Sequence, residues 1–377
     1  MSQYQTRRVR DASKLVEYVT VVGRLEPVTE EDYMKLVKLA HEFRKAVTYA
    51  TRMIAKGANS KAVLRELRSM LNKAYGDSAF KLAKTIVENA RVNGGDPLKV
   101  EIRKLFVISE GEAGRQGNRN VRLDDSSSIR IKYPYDGSWL SFRARFGENY
   151  IPLVRELSEL AKSRKCSYGA RIVFRDGRIY LHLSIPIELY LKYFRRGEAR
   201  GDLIAGFDLN SDRVNMVIVD KSGVIRDAKT EWFPEVTSPG YPRNKAVVAR
   251  LQALSKLIEY AYHHGVGVAV FEDLGRIKRR EFTGSPTANR KISRFAKRQL
   301  LVHAVVMSLK YGLKPALVDP RGTSSSYEHR FVMKKYGLDR HTASAYLIAL
   351  RYLQDEKTIN NHKTHKQHKQ TSKRKQP

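Results

Sequence analysis

Cysteine is all but missing from this chain of 377 residues: Cys166 stands alone, so no disulfide can close within it and no cysteine-built zinc site can form. Cys166 itself reads as a packing residue. No apolar run reaches the roughly 18 residues a membrane-spanning helix needs. The opening residues, "MSQYQTRRVRDASKLV", lack the apolar centre of a secretory signal. Together these absences predict a soluble, cytoplasmic protein with no membrane partner. Acids are scarce as well, with 39 Asp and Glu against 71 Lys and Arg, a formal charge of +32.

An excess of that size, spread along the whole length, seeks a polyanion. Nucleic acid fits, because each neutralised phosphate releases condensed counterions. The competing reading is a charge-rich thermophilic surface, although such surfaces usually balance lysine with glutamate. The length allows two or three domains, each with its own core.

Hydrophobic periodicity sets out the elements. "YVTVVGRL" (18 to 25) alternates as a strand, and a capping box at Thr29 and Asp32 then opens a helix with Tyr33, Leu36, Ala40, Phe43, Val47, Ala50 and Ile54 on one face. Two more helices follow, "SKAVLRELRSMLNKAY" and "SAFKLAKTIVENARVN", stopped by Gly94 and Gly95. The Gly-, Asn- and Ser-rich stretch 109 to 128 predicts an exposed loop. Strands return at 129 to 133 and 139 to 146, and Asp176-Gly177 joins "ARIVFR" to "RIYLHLSI" as a hairpin. That hairpin puts Ile172, Phe174, Ile179, Leu181 and Leu183 on one face and Arg171, Arg175, Arg178, Tyr180 and His182 on the other. The second face suits phosphate contact and base stacking, or is an ordinary polar sheet face.

From residue 203 the order is three strands, then helix, strand, helix, strand, helix, which predicts a mixed α/β domain. Three acids stand out in it. Asp208 interrupts the apolar strand "LIAGFD", Glu272 ends "VGVAVFE", and Asp339 precedes the helix "RHTASAYLIALRYL". Singly, such an acid caps a turn or pairs with arginine. Brought within about 4 Å they would repel by about 4 kcal/mol at an effective dielectric of 20, unless protonated or bridged by cations. Magnesium prefers carboxylate oxygens, and a pair of ions can activate water and stabilise the leaving oxygen of a phosphodiester.

"GFDLN", "FEDL" and "DRHTASAYLIA", with "VDPRGTSS" ahead of the last, resemble the split RuvC-like motifs of the TnpB (OrfB) family, transposon-encoded RNA-guided nucleases related to type V CRISPR effectors. The resemblance implies an RNase H-like (RuvC) nuclease domain over 201 to 356. A wedge-like β-barrel over 1 to 28 and 94 to 200 would precede it, with an inserted helical recognition lobe at 29 to 93. It implies Asp208, Glu272 and Asp339 as catalytic residues holding two Mg²⁺ ions, with Mn²⁺ able to substitute. It also implies a guide RNA from the transposon end and a double-stranded DNA target.

Two departures stand out. The four-cysteine zinc ribbon of the family is absent, so 323 to 338 keeps at most its outline and no structural zinc is expected. His341 stands where the family's third motif has a second aspartate, and reads either as a proton carrier or weak ligand beside the metal or as a solvent-facing first-turn residue. A nuclease-impaired, repressor-like RNA-guided DNA binder and a plain RNA-binding structural protein are the competing readings.

The basic loop after Glu272 carries Arg276, Lys278, Arg279, Arg280, Arg290, Lys291 and Arg294 and reads as a lid gripping nucleic acid, with Arg340 a further phosphate contact. Residues 357 to 377 read as a disordered basic tail.

Overall fold

The computed structural model describes residues 9–92, 94–198, 201–273 and 297–373. The chain divides into two compact units, Tyr18–Tyr193 and Met1–Glu17 together with Phe194–Pro377. The short strand β1 (Arg10–Asp11) belongs to the second of them, where it pairs antiparallel with a strand more than 300 residues later, Arg10 opposite Leu317. Residues 9 to 17 therefore do not join the first sheet, as a barrel beginning at residue 1 would require.

In the unit 18–193, β2 (Tyr18–Pro27) leads into helices α1 (Glu30–Ala55), α2 (Ser60–Met70) and α3 (Lys73–Val92). The Thr29 hydroxyl accepts the Asp32 N–H at 3.1 Å, so the capping box starts α1 where its sequence places it. Leu36, Leu39, Phe43 and Val47 of α1 and Tyr75 of α3 are fully buried. Then come β3 (Phe106–Ser109), the two-residue strands β4 (Gly111–Glu112) and β5 (Gly117–Asn118), β6 (Val121–Leu123), β7 (Ser128–Lys132) and β8 (Trp139–Arg145). Helix α4 (Ile151–Lys162), β9 (Gly169–Arg175), β10 (Arg178–Pro186) and α5 (Ile187–Phe194) complete the run, and seven strands form one antiparallel sheet in the order β3-β9-β10-β2-β8-β7-β6.

The Asp176-Gly177 turn joins β9 to β10 with both residues at positive φ, 51° and 68°, as a two-residue hairpin requires. The expected exposed loop at 109 to 128 is instead three short strands folded inward. Asn118 is the cause: fully buried, its side chain donates to the carbonyls of Ser109 and Tyr168 and accepts the N–H groups of Asn120 and Val121, replacing the water those groups would otherwise need.

The second unit carries β11 (Leu203–Leu209), β12 (Arg213–Val219), β13 (Ile225–Trp232), α6 (Arg243–His263), β14 (Val266–Glu272), α7 (Lys297–Lys310), β15 (Lys314–Val318), α8 (Tyr327–Tyr336) and α9 (Arg340–Lys373). Helix α9 runs on through the stretch whose composition reads as a disordered tail. The sheet order is β1-β15-β14-β11-β12-β13, with β11, β14 and β15 parallel and β12 antiparallel to both its neighbours. One face is covered by α9, whose Ala345, Ile348, Ala349 and Tyr352 pack with Ile204, Val217, Val270 and Val318. Strands β11 and β12 are buried on both faces, which is why they read as continuous apolar runs. Among the described residues no helix is long and apolar enough to cross a membrane.

Candidate active site

Asp208 lies at the carboxyl end of β11, opposite Asn215 on β12. Phe207 pairs with Phe271 across β11 and β14, and their rings stack 5.0 Å apart on one face. Alternation along the strands then turns the next residues, Asp208 and Glu272, to the other face, the one α9 covers. Two carboxylates thus occupy matched stations on adjacent parallel strands, roughly 4.8 Å apart at the backbone. Gly206 brings α9 down onto β11 at this level, because its missing side chain leaves room for the helix backbone at Ala345 and Ala349.

Each carboxylate has its own partners. Asp208 Oδ2 accepts from Asn210 Nδ2 at 2.8 Å and from His341 Nδ1 at 3.0 Å. A carboxylate can only accept, so the His341 proton sits on Nδ1, and in the neutral ring Nε2 carries the free lone pair. Glu272 accepts a hydrogen bond from the Thr323 hydroxyl, and Thr323 is fully buried. The threonine of "GTSS" therefore positions the second acid. Asp339 caps α9: its Oδ1 accepts the N–H groups of His341 at 2.9 Å and Thr342 at 3.3 Å, and its Oδ2 accepts the Thr342 hydroxyl. Partial burial would raise this carboxyl, but the Thr342 hydroxyl and the two N–H groups outweigh it and hold it below the usual carboxylate value.

Asn215, buried between these groups, donates to Thr230 Oγ1 at 2.7 Å and Thr342 Oγ1 at 3.2 Å. Its own Oδ1 is buried without a hydrogen-bond partner among the described residues. Two carboxylates and an orphaned amide oxygen are donors of the kind hard divalent cations take. Asp339 is committed elsewhere, and among the described residues no group of three or more His, Cys, Asp or Glu side chains is placed to hold a metal. At this end Asp208 and His341 are in contact, Glu272 stands on the adjacent strand with Thr323, and Asp339 caps α9 two residues before His341.

The sequence held Asn210 only as the last residue of "GFDLN" and did not mark Asn215 as part of this site. Asn215 was legible only as a polar interruption of "VNMVIVD". The anticipated lid residues Arg276, Lys278, Arg279, Arg280, Arg290, Lys291 and Arg294 lie outside the described residues. Arg340 is exposed at the first turn of α9, its carbonyl accepting from the Ser344 hydroxyl at 3.0 Å.

Arg171, Arg175 and Arg178 are exposed on one face of the seven-stranded sheet in the other unit. Register shows how far that face extends. Arg171 pairs with His182, Arg175 with Arg178, Tyr180 with Arg24, Arg24 with Arg145, and Arg122 with Arg130. Directly opposed like charges destabilise a sheet. Glu26 and Asp124 offset part of the cost, through Arg145 at 2.9 Å and Arg130 at 2.6 Å. Arg122, Arg130 and Lys132 surround the ring of Trp139 at 5.2–5.6 Å. Partial burial, then the Arg171 charge, push His182 below its ordinary value, which leaves it neutral at pH 7 on this face.

Residues 18–195 match the family model described as the SSO2105 N-terminal domain, nearly the bounds of the compact unit 18–193. The chain is 40% identical over 366 residues to the uncharacterized protein SSO2105 of Saccharolobus solfataricus, covering 94% of this chain and 98% of that one. An uncharacterized protein of Aeropyrum pernix is 31% identical over 309 residues, covering 76% of this chain and 81% of its own length. Among solved structures, T. thermophilus RuvC in complex with a Holliday junction substrate is similar at 15% identity and a TM-score of 0.28, covering 40% of this chain and 91% of that one, a likeness too slight to argue from. The identity to SSO2105, sustained across almost the full length of both proteins, shows that this chain belongs to the SSO2105 family.

Proposed function

We propose that this protein is a nuclease, cleaving nucleic-acid phosphodiesters at the carboxyl end of the β11–β14 pair. The observation that supports this most is the matched placement of Asp208 and Glu272 on adjacent parallel strands, with His341 held against Asp208 at 3.0 Å. Three antiparallel strands followed by two parallel ones, with helices between, agree with an RNase H-like α/β class. Asp208 and Glu272 would hold Mg²⁺, or Mn²⁺ in its place, and Asp339 would join them by giving up the cap of α9, at a cost of about 1 kcal/mol. The bound metal supplies a Lewis acid that activates water and neutralises charge at phosphorus. The chain's own part is to orient: Asn210 and His341 fix Asp208, Thr323 fixes Glu272, and the Nε2 of His341 would be the group that takes a proton from an attacking water.

The finer reading is RNA-guided cleavage of duplex DNA, as in the TnpB family. It rests on the order of "GFDLN", "FEDL" and "DRHTASAYLIA" and on the net charge of +32. The basic sheet face of Arg24, Arg145, Arg171 and Arg178 would then carry the RNA. A second reading, binding without cleavage, draws on Asp339 being tied into its helix.

Labelled single-stranded and duplex oligonucleotides, incubated with the protein and its co-purified nucleic acid in Mg²⁺ or Mn²⁺, separate these readings. Cleavage by wild type that Asp208→Ala and Glu272→Ala abolish is the expected result. Equal cleavage by all three refutes the site, and binding without cleavage in either metal supports the second reading. Sequencing the co-purified RNA tests the finer one: a single species with one variable end is expected, and random fragments overturn it.

A further inference from the structure

The same sheet face carries an exposed aromatic next to the acids. On β12 and β13, Asn215 pairs with Thr230, and two residues further toward the carboxyl end of β11, Arg213 pairs with Trp232. The Arg213 guanidinium lies 3.9 Å from the centroid of the Trp232 ring, so both side chains are on the face that Asp208 and Asn215 share. From Asp208 to Trp232 is two strands across and two residues along, about 12 Å at the backbone.

Trp232 is 59% exposed, a large apolar ring left in water at the end of an edge strand. Its position is nevertheless fixed from three sides. Asp212, only 6% exposed, pairs with Arg213 at 3.2 Å and holds the guanidinium against the indole. The Phe233 N–H donates to the Asp212 carbonyl at 2.9 Å, and the rings and methyls of Phe233 and Val236 are buried immediately after it. Neither the exposure nor the bracing contributes to a core. An indole backed by a fixed guanidinium has one face taken and the rest of its ring presented to solvent.

We infer that Trp232 is a nucleobase-stacking residue and that the site beside it takes a single-stranded segment of nucleic acid. This rests on the reading that Asp208 and Glu272 mark a nucleic-acid site. The chemistry of the pair specifies the occupant. The open ring stacks on any base, Arg213 adds charge attraction to the backbone, and the strand is unpaired because bases in a continuous duplex already stack on both faces. Trp232 thereby positions the substrate; it does not touch the reacting atoms.

The chain has two tryptophans, so Trp139→Phe leaves Trp232 as its one indole. In that background, with EDTA present, emission is followed as a dT20 strand or a 20-base-pair duplex is added. Saturable quenching by dT20 is expected, and Trp232→Ala in the otherwise unchanged chain should weaken dT20 binding about 5- to 150-fold, the equivalent of about 1–3 kcal/mol, while duplex binding stays the same. Trp232→Phe, which keeps a ring of similar shape, should restore most of the loss and guards against misfolding of the alanine variant. Absence of quenching, or equal weakening for strand and duplex, overturns the proposal. Because the assay needs no metal and no cleavage, quenching that persists in a protein inert in every metal sinks the nuclease reading alone. Cleavage that persists without quenching sinks the stacking proposal alone.

Discussion

A Cβ placed on Gly206 would come within 2.1 Å of the carbonyl oxygen of Ala345 and 2.7 Å of the Ala349 nitrogen. Both are helix backbone atoms, which cannot move aside as a side-chain end would. Gly206 is thus the point at which α9 rests on β11, and the same helix carries Asp339 and His341 toward Asp208. Gly206→Ala should destabilise the protein by about 3 kcal/mol, an overpacking cost at the upper end of its usual range. Thermal melts check this, and an unchanged melting temperature would show that the helix does not sit where described.

His341 should matter to cleavage more than to binding. It orients Asp208 through Nδ1 at 3.0 Å, as partners of ligating carboxylates and imidazoles do. His341→Ala is expected to lower cleavage by about 10- to 100-fold, with oligonucleotide affinity kept. A parallel loss of affinity would instead assign His341 to phosphate binding.

Asp339 makes a pH-dependent prediction. Its folded carboxyl is held low, so the ionised cap contributes stability above the unfolded value near 3.8, and that contribution is lost as pH falls through the folded value. At pH 7 Asp339→Ala should cost about 1 kcal/mol, typical of a lost N-cap. The gap between variant and wild type should close in acid, below about pH 4. Urea titrations at pH 7 and in acid measure both ends, and a gap that widens in acid would contradict the cap.

The sheet face of the unit 18–193 should show itself in salt dependence. Replacing Arg171 and Arg178 with alanine removes two exposed charges from strands β9 and β10. Each lost phosphate contact should reduce the slope of log affinity against log salt by about 0.7 to 0.9. Anisotropy titrations over a range of potassium chloride would detect it, and an unchanged slope would leave that face an ordinary polar surface.

Much of this protein is written locally. Thr29 and Asp32 announce α1 because a helix start needs an oxygen at that spacing, and Asp176-Gly177 announces its hairpin because only such residues tolerate two consecutive positive φ angles. The double burial of β11 shows in the run "LIAGFDL", where Asp208 is conspicuous against its apolar neighbours. The stretch 109 to 128 misled for a physical reason: Gly, Asn and Ser favour turns, but the buried amide of Asn118 made an interior of them.

By itself, then, the sequence determined the charge, the strand and helix periods and the identity of the acids, all of which depend on residue type and on spacings of a few positions. Tertiary structure alone decided which acid has which neighbour. Asp208 and His341 are 133 positions apart and Glu272 and Thr323 are 51 apart, and only the parallel register of β11, β14 and β15 and the seating of α9 over Gly206 bring them within hydrogen-bond reach. The stacking of Arg213 on Trp232, 19 positions apart, came from the antiparallel register of β12 and β13.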